Sequence, residues 1–165
     1  MKTPALSGFR SGLALAACLA ASFSTAAIGV VLSGTGVREW YPTLAKPSWT
    51  PPGWLFGPVW SLLYVMMGVA TWRVWRRDGV REARLALGVD AIQLVLNGAW
   101  SGIFFGLRQP VLAFGEILAL WMLIGVTTRL FWARDRLAGI LMIPYLAGVS
   151  FATALNGAIA WMNRS

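Results

Sequence analysis

The chain has 165 residues, of which 58% are hydrophobic and only 12% charged, with a net charge of +8. A soluble domain carries about 25% charged residues, so this composition argues against an ordinary water-soluble globule. The absence of histidine and the single cysteine, Cys18, exclude His-based acid–base chemistry, His ligation of metal or haem, and an internal disulfide framework.

Charges are separated by long gaps, and a gap near 20 residues is what a ~30 Å hydrocarbon layer requires of a helix. No charge falls between Arg10 and Arg38, which predicts a first helix over 11–33. Lys2 and Arg10 precede an alanine-rich run in which Leu15-Ala16-Ala17-Cys18 resembles a lipoprotein cleavage site. The apolar run continues to Leu32, too long for a signal-peptide core, so it is read as a retained membrane helix. Gly34-Thr35-Gly36 ends it, and residues 34–50 form the longest loop, with Trp40 and Tyr41 suited to the headgroup region.

A second helix is predicted over 51–74, opened by Pro51-Pro52, since a proline in the first turn lacks only an N–H that had no partner there. The third covers 83–106 with Asp90 as its one internal charge, and the fourth covers 110–132 with Glu116 as its one internal charge. The fifth covers 137–162, with Pro144 as a kink position. The fold class is therefore all-α: a single five-helix transmembrane bundle. The apolar runs are too long and continuous for the alternating strands of a barrel.

Lysines and arginines are distributed unevenly. Lys2, Arg10, Arg73, Arg76, Arg77, Arg81, Arg84, Arg129, Arg134 and Arg136 fall on one side, and Arg38, Lys46, Arg108 and Arg164 on the other. The positive-inside rule places the N-terminus and the loops after the second and fourth helices in the cytoplasm. The +8 is thus a topology signal with anionic headgroups as partner, and no nucleic acid is needed to explain it.

Asp90, Gln93, Asn97 and Ser101 share one face of the third helix, and polar residues inside a membrane face the bundle interior. Asp90 is close enough to the cytoplasmic interface to be hydrated. Glu116, about two turns into the fourth helix, is a candidate for function, for pairing with a cation, or for a protonated state. Of ten tryptophans, Trp40, Trp49, Trp54, Trp72, Trp75, Trp132 and Trp161 fall near helix ends as interfacial anchors, whereas Trp60 and Trp100 lie deeper. Trp60, Tyr64 and Met67 share a face, which suits either core packing or an aromatic cavity for a flat ligand. Gly98, Gly102 and Gly106 form a small-residue face that suits either a dimer interface or an internal contact. No Walker loop, dinucleotide turn, metal cluster or catalytic triad is present, so neither metal nor cofactor is expected.

The segment Trp40-Tyr41-Pro42-Thr43-Leu44-Ala45-Lys46-Pro47-Ser48-Trp49-Thr50-Pro51-Pro52 resembles the translocator protein family, also known as tryptophan-rich sensory proteins or peripheral benzodiazepine receptors. Asn97-Gly98-Ala99-Trp100, Phe104-Phe105-Gly106, Pro144-Tyr145-Leu146 and Phe151-Ala152-Thr153-Ala154-Leu155-Asn156 extend the likeness over nearly the whole chain. The resemblance implies a five-helix fold, usually dimeric, in a bacterial inner membrane. It implies binding of porphyrins, sterols and benzodiazepine-type ligands, with a sensory, regulatory or transport role. By motif position the cavity would draw on Tyr41, Trp60, Tyr64, Asn97, Trp100 and Ala152, with the 34–50 loop as its lid. Some bacterial members degrade protoporphyrin in light using two cavity tryptophans. Trp60 matches the first, but Gly148 stands where the second belongs, which favours binding over catalysis and implies a larger cavity. Gly157 stands in place of a tyrosine in the family's sterol motif, so no sterol specificity is expected.

Overall fold

The computed structural model describes residues 8–164. It is helical: α1 (Gly8–Ser33), α2 (Gly53–Ser101), α3 (Pro110–Arg134) and α4 (Arg136–Met162), with short wide turns at Gly36–Trp40 and Gly102–Gly106 and a tight turn at Tyr41–Thr43. Four helical segments are long and apolar enough to cross a membrane, one of them the 54-residue stretch Gly53–Gly106. At ~1.5 Å per residue that stretch would be far longer than a bilayer is thick. It is interrupted at Gly79, whose φ of 71° is a left-handed conformation that glycine adopts without a Cβ penalty. Thr71 then reaches Asp90, and Tyr64 reaches Asn97. Both pairs straddle Gly79 in one register, so the two halves of α2 lie antiparallel. The sequence predicted a loop between 74 and 83. The structure reduces it to one residue, because the arginines there are good helix formers and only Gly79 needs to leave the helix.

The outer surface is rich in large apolar side chains, and several polar ones lie within the apolar core. Asp90, Gln93, Asn97, Thr127 and Asn156 are buried, whereas Val30, Val31, Trp54, Val95 and Trp161 are exposed. Chains of known transmembrane type put apolar groups against lipid and polar groups against each other. The protein is an integral, multi-pass membrane helical bundle.

α1 packs on α2 through small residues. Its buried positions are Ser22, Thr25, Gly29 and Ser33. The Ser33 hydroxyl donates to the Gly29 carbonyl at 2.7 Å, so it makes no demand on lipid. A Cβ on Gly98 would touch Thr25 at 3.5 Å, one on Gly102 would touch Leu32 at 3.0 Å, and one on Gly106 would collide with the Leu32 carbonyl. These three glycines therefore pack against α1 of the same chain. Their small size serves close helix approach inside the bundle. Gly106→Ala is expected to lower stability by about 1 kcal/mol through overpacking. Gly115→Ala, with open space at its Cβ, should leave stability unchanged; thermal unfolding in detergent compares the two.

At the end rich in arginine, Arg73 donates to Asp135 at 2.9 Å and Arg134 to Asp78 at 2.8 Å. Asp135 also accepts from the Leu137 and Ala138 N–H groups, capping α4. Two of the arginines counted as headgroup ligands thus lock the α3–α4 corner to the Gly79 turn.

Candidate functional site

The polar stripe of α2 builds a continuous hydrogen-bond chain. The Tyr64 hydroxyl donates to Asn97 Oδ1 at 2.7 Å, and Asn97 Nδ2 donates to the Tyr145 hydroxyl at 2.9 Å. The Tyr145 hydroxyl donates to Gln93 Oε1 at 2.8 Å, and Gln93 Nε2 donates to Asp90 Oδ1 at 3.0 Å. Thr71 closes the chain on Asp90 Oδ2 at 2.8 Å. Every link runs through a low-dielectric interior, where a satisfied network rigidifies and an unsatisfied one is costly. The expected hydration of Asp90 is corrected here: it is 2% exposed, and Thr71 and Gln93 supply the donors that water would have supplied.

Trp60 packs against this chain, 6.1 Å from the Tyr64 ring and 6.4 Å from the Tyr145 ring, edge-on to the latter. Ala152 packs on the same apolar cluster. A second aromatic layer lies beside it. Trp100 stacks on Phe104 at 5.1 Å, and Tyr41 meets Phe105 edge-on at 5.5 Å. Trp100 belongs to both layers, and its indole N–H donates to Asn156 Oδ1 at 3.0 Å. The six candidate residues therefore fall in two joined layers. Trp60, Tyr64, Asn97 and Ala152 form one, Tyr41 lies in the other, and Trp100 links them.

Loop 34–50 is fastened over this region. Lys46 Nζ donates to the carbonyls of Tyr41 at 2.8 Å and Leu44 at 2.8 Å. Asn163 bonds both the N–H and the carbonyl of Ala45. Trp40, read from sequence as an interfacial anchor, instead packs on Phe104 at 5.8 Å. Burial pushes the Tyr41 phenol above its ordinary pKa.

Sequence reasoning missed Tyr145 as the junction of the network; its pairing partners are 48 and 52 residues away. The room expected at Gly148 is partly taken. A Cβ there would sit 3.0 Å from Leu63 Cδ1, so the neighbouring side chain leans into the space. Two open grooves of about 500 Å³ lie elsewhere. One runs along Gly125, Thr128, Arg129, Trp132 and Leu146, the other along Leu32 to Gly36, Gly102, Gly106 and Arg108. Neither is lined by the six candidate residues. Among the described residues no cluster of His, Cys, Asp and Glu could hold a metal.

Residues 14–162 match the model of the TspO/MBR family. The chain belongs to the TspO/MBR family. It is 38% identical over 155 residues to the tryptophan-rich protein TspO of Chlorobaculum tepidum, which covers 92% of this chain and 96% of that protein. It is 36% identical over 138 residues to the tryptophan-rich sensory protein of Cereibacter sphaeroides, covering 84% of each. It is 43% identical over 125 residues to the human translocator protein, covering 74% of this chain and 73% of that one. Family membership spans every element of both aromatic layers, so the TspO/MBR assignment applies to the whole candidate site.

Proposed function

We propose that this TspO/MBR protein crosses the bacterial inner membrane five times, with α2 passing twice about Gly79. Its interior binds porphyrins or similar flat apolar ligands under the 34–50 loop, in a sensory, regulatory or transport role. The observation that carries this reading is the convergence of Trp60, Tyr64, Asn97 and Ala152 on one buried face, joined through Trp100 to Tyr41. A flat ligand would stack on indole and phenol faces, while amide and hydroxyl groups would fix its orientation. Relatives named for sensing and for translocation support such a role. Sterol-like or benzodiazepine-type ligands fit the same surface. Pairing with a second copy, as the family resemblance implies, is part of this reading.

Titrating the protein in detergent with protoporphyrin is expected to quench tryptophan emission saturably. With Gly148 where a second tryptophan would stand, illumination should bleach the bound ligand only slowly. Absence of saturable quenching would end the tetrapyrrole reading, and fast bleaching would favour a degrading enzyme instead.

The N-terminus, the Gly79 turn and the α3–α4 corner are assigned to the cytoplasm from the arginine asymmetry. A membrane-impermeant maleimide applied to intact cells should label Arg38→Cys and leave Arg81→Cys unlabelled, both in a Cys18→Ala background. The opposite pattern would invert the orientation.

A further inference from the structure

Glu116 lies on α3 one turn from Ala113 and one turn from Leu120, both buried. Both of its carboxyl oxygens are shielded, and neither has a hydrogen-bond partner among the described residues. Burying a carboxyl group without partners is costly, and an intramembrane acid implies a partner. The described residues offer none. No lysine or arginine occurs within 47–72, 85–107, 109–128 or 137–163, so no basic side chain belongs to the bundle interior.

Several donors of the interior are bound elsewhere, and none, the unbonded Trp60 indole N–H included, reaches Glu116 among the described residues. Thr153 donates to the Val149 carbonyl, Ser150 to the Leu146 carbonyl, and the Asn156 amide to the Pro110 carbonyl. The Trp100 indole is held by Asn156, and the Tyr145 hydroxyl by Gln93. The other interior acid, Asp90, has two donors of its own in Thr71 and Gln93. Glu116 is thus the interior acid left unmatched among the described residues, and its α3 neighbours Ile117 and Leu120 belong to the same buried cluster as Tyr64 and Tyr145, against which Trp60 packs.

We infer that Glu116 is a ligand subsite: its carboxylate receives a cationic or N–H-donating centre carried by a flat aromatic ligand. The inference rests on the interior being a ligand site and adds the chemistry that the ligand must bring. A buried charge costs stability in the free protein and is repaid when a donor arrives, which is the usual trade between stability and function. It selects against flat ligands of the same size that lack a donor, because those leave the carboxylate unpaired.

The test compares two three-ring probes of matched frame, 9-aminoacridine, a cation at neutral pH, and anthracene, which is neutral and has no donor. Each is titrated into the full chain in non-ionic detergent, with tryptophan emission as readout. The parent chain should prefer the aminoacridine by about tenfold or more, the factor that one charge-assisted hydrogen bond supplies. Glu116→Gln should bring the two affinities within about twofold, a difference too small to represent such a bond. Glu82→Gln, at an exposed position, should keep the preference. In a separate readout without ligand, Glu116→Leu should raise the thermal midpoint, because it removes the unmatched acid. Equal affinity of the two probes for the parent chain, an undiminished preference in Glu116→Gln, or a lowered midpoint in Glu116→Leu would overturn the inference. Protoporphyrin binding without a probe preference would remove this inference alone. A probe preference lost in Glu116→Gln, with no protoporphyrin binding, would remove the tetrapyrrole reading alone.

Discussion

Trp60→Ala is expected to weaken protoporphyrin binding by about tenfold or more. Trp60 is the large aromatic of α2 that reaches both Tyr64 and Tyr145, so a porphyrin lying on this layer stacks against its indole. Losing a stacked aromatic partner costs about 0.5–1.5 kcal/mol beyond the lost area, and 1.4 kcal/mol is tenfold in affinity. The area term adds to this. The indole N–H of Trp60 makes no hydrogen bond among the described residues, so its removal leaves no protein group orphaned, and the variant should fold. Trp54→Ala is the control: that side chain is 74% exposed on the outside of the bundle, and its loss should not move the affinity. Fluorescence or absorbance titration of the three proteins decides the matter. Equal affinity in the parent chain and Trp60→Ala would take Trp60 out of the site.

Asp135→Ala is expected to destabilise the protein by about 2 kcal/mol, combining a lost helix cap with a lost ion pair discounted for partial exposure. Asp135 accepts from Arg73 and from two N–H groups in the first turn of α4. Burial by itself would raise its pKa. The Arg73 hydrogen bond, the Ala138 N–H, the Arg73 charge and the Leu137 N–H together outweigh burial and hold the carboxyl below its ordinary value. A carboxylate whose folded pKa is depressed contributes fully above its unfolded value, about 3.9, and loses that contribution as pH falls through the folded value. The thermal midpoint of the parent chain should therefore drop as pH is taken below about 4, where the unfolded chain's Asp135 takes up its proton while the folded one still resists it. Asp135→Ala should start lower at pH 7 and fall less over the same range. Parallel midpoint curves for the two proteins would remove Asp135 from the acid response.

Both experiments depend on residues whose roles were unevenly legible before the structure was known. Trp60 could be placed on a face with Tyr64 because helical periodicity is fixed by backbone geometry. Asp135 carried no such signal. Its three partners lie on two elements, and Arg73 is 62 residues away.

The sequence by itself determined the membrane helices, because a charge-free run near 20 residues has few other environments in which its backbone and side chains are both satisfied. It determined the polar face Asp90–Gln93–Asn97 for the same reason, and the tryptophan–proline string of the first loop pointed to the family. Periodicity says which face a residue occupies, but not what lies opposite. Tertiary structure alone decided that Gly98, Gly102 and Gly106 meet α1, that Tyr145 joins Asn97 to Gln93, and that Trp40 turns inward onto Phe104. It decided that Asp90 finds donors while Glu116 finds none among the described residues. Those outcomes depend on how helices distant in sequence pack, and packing is set by shape and by pairing of polar groups across the bundle.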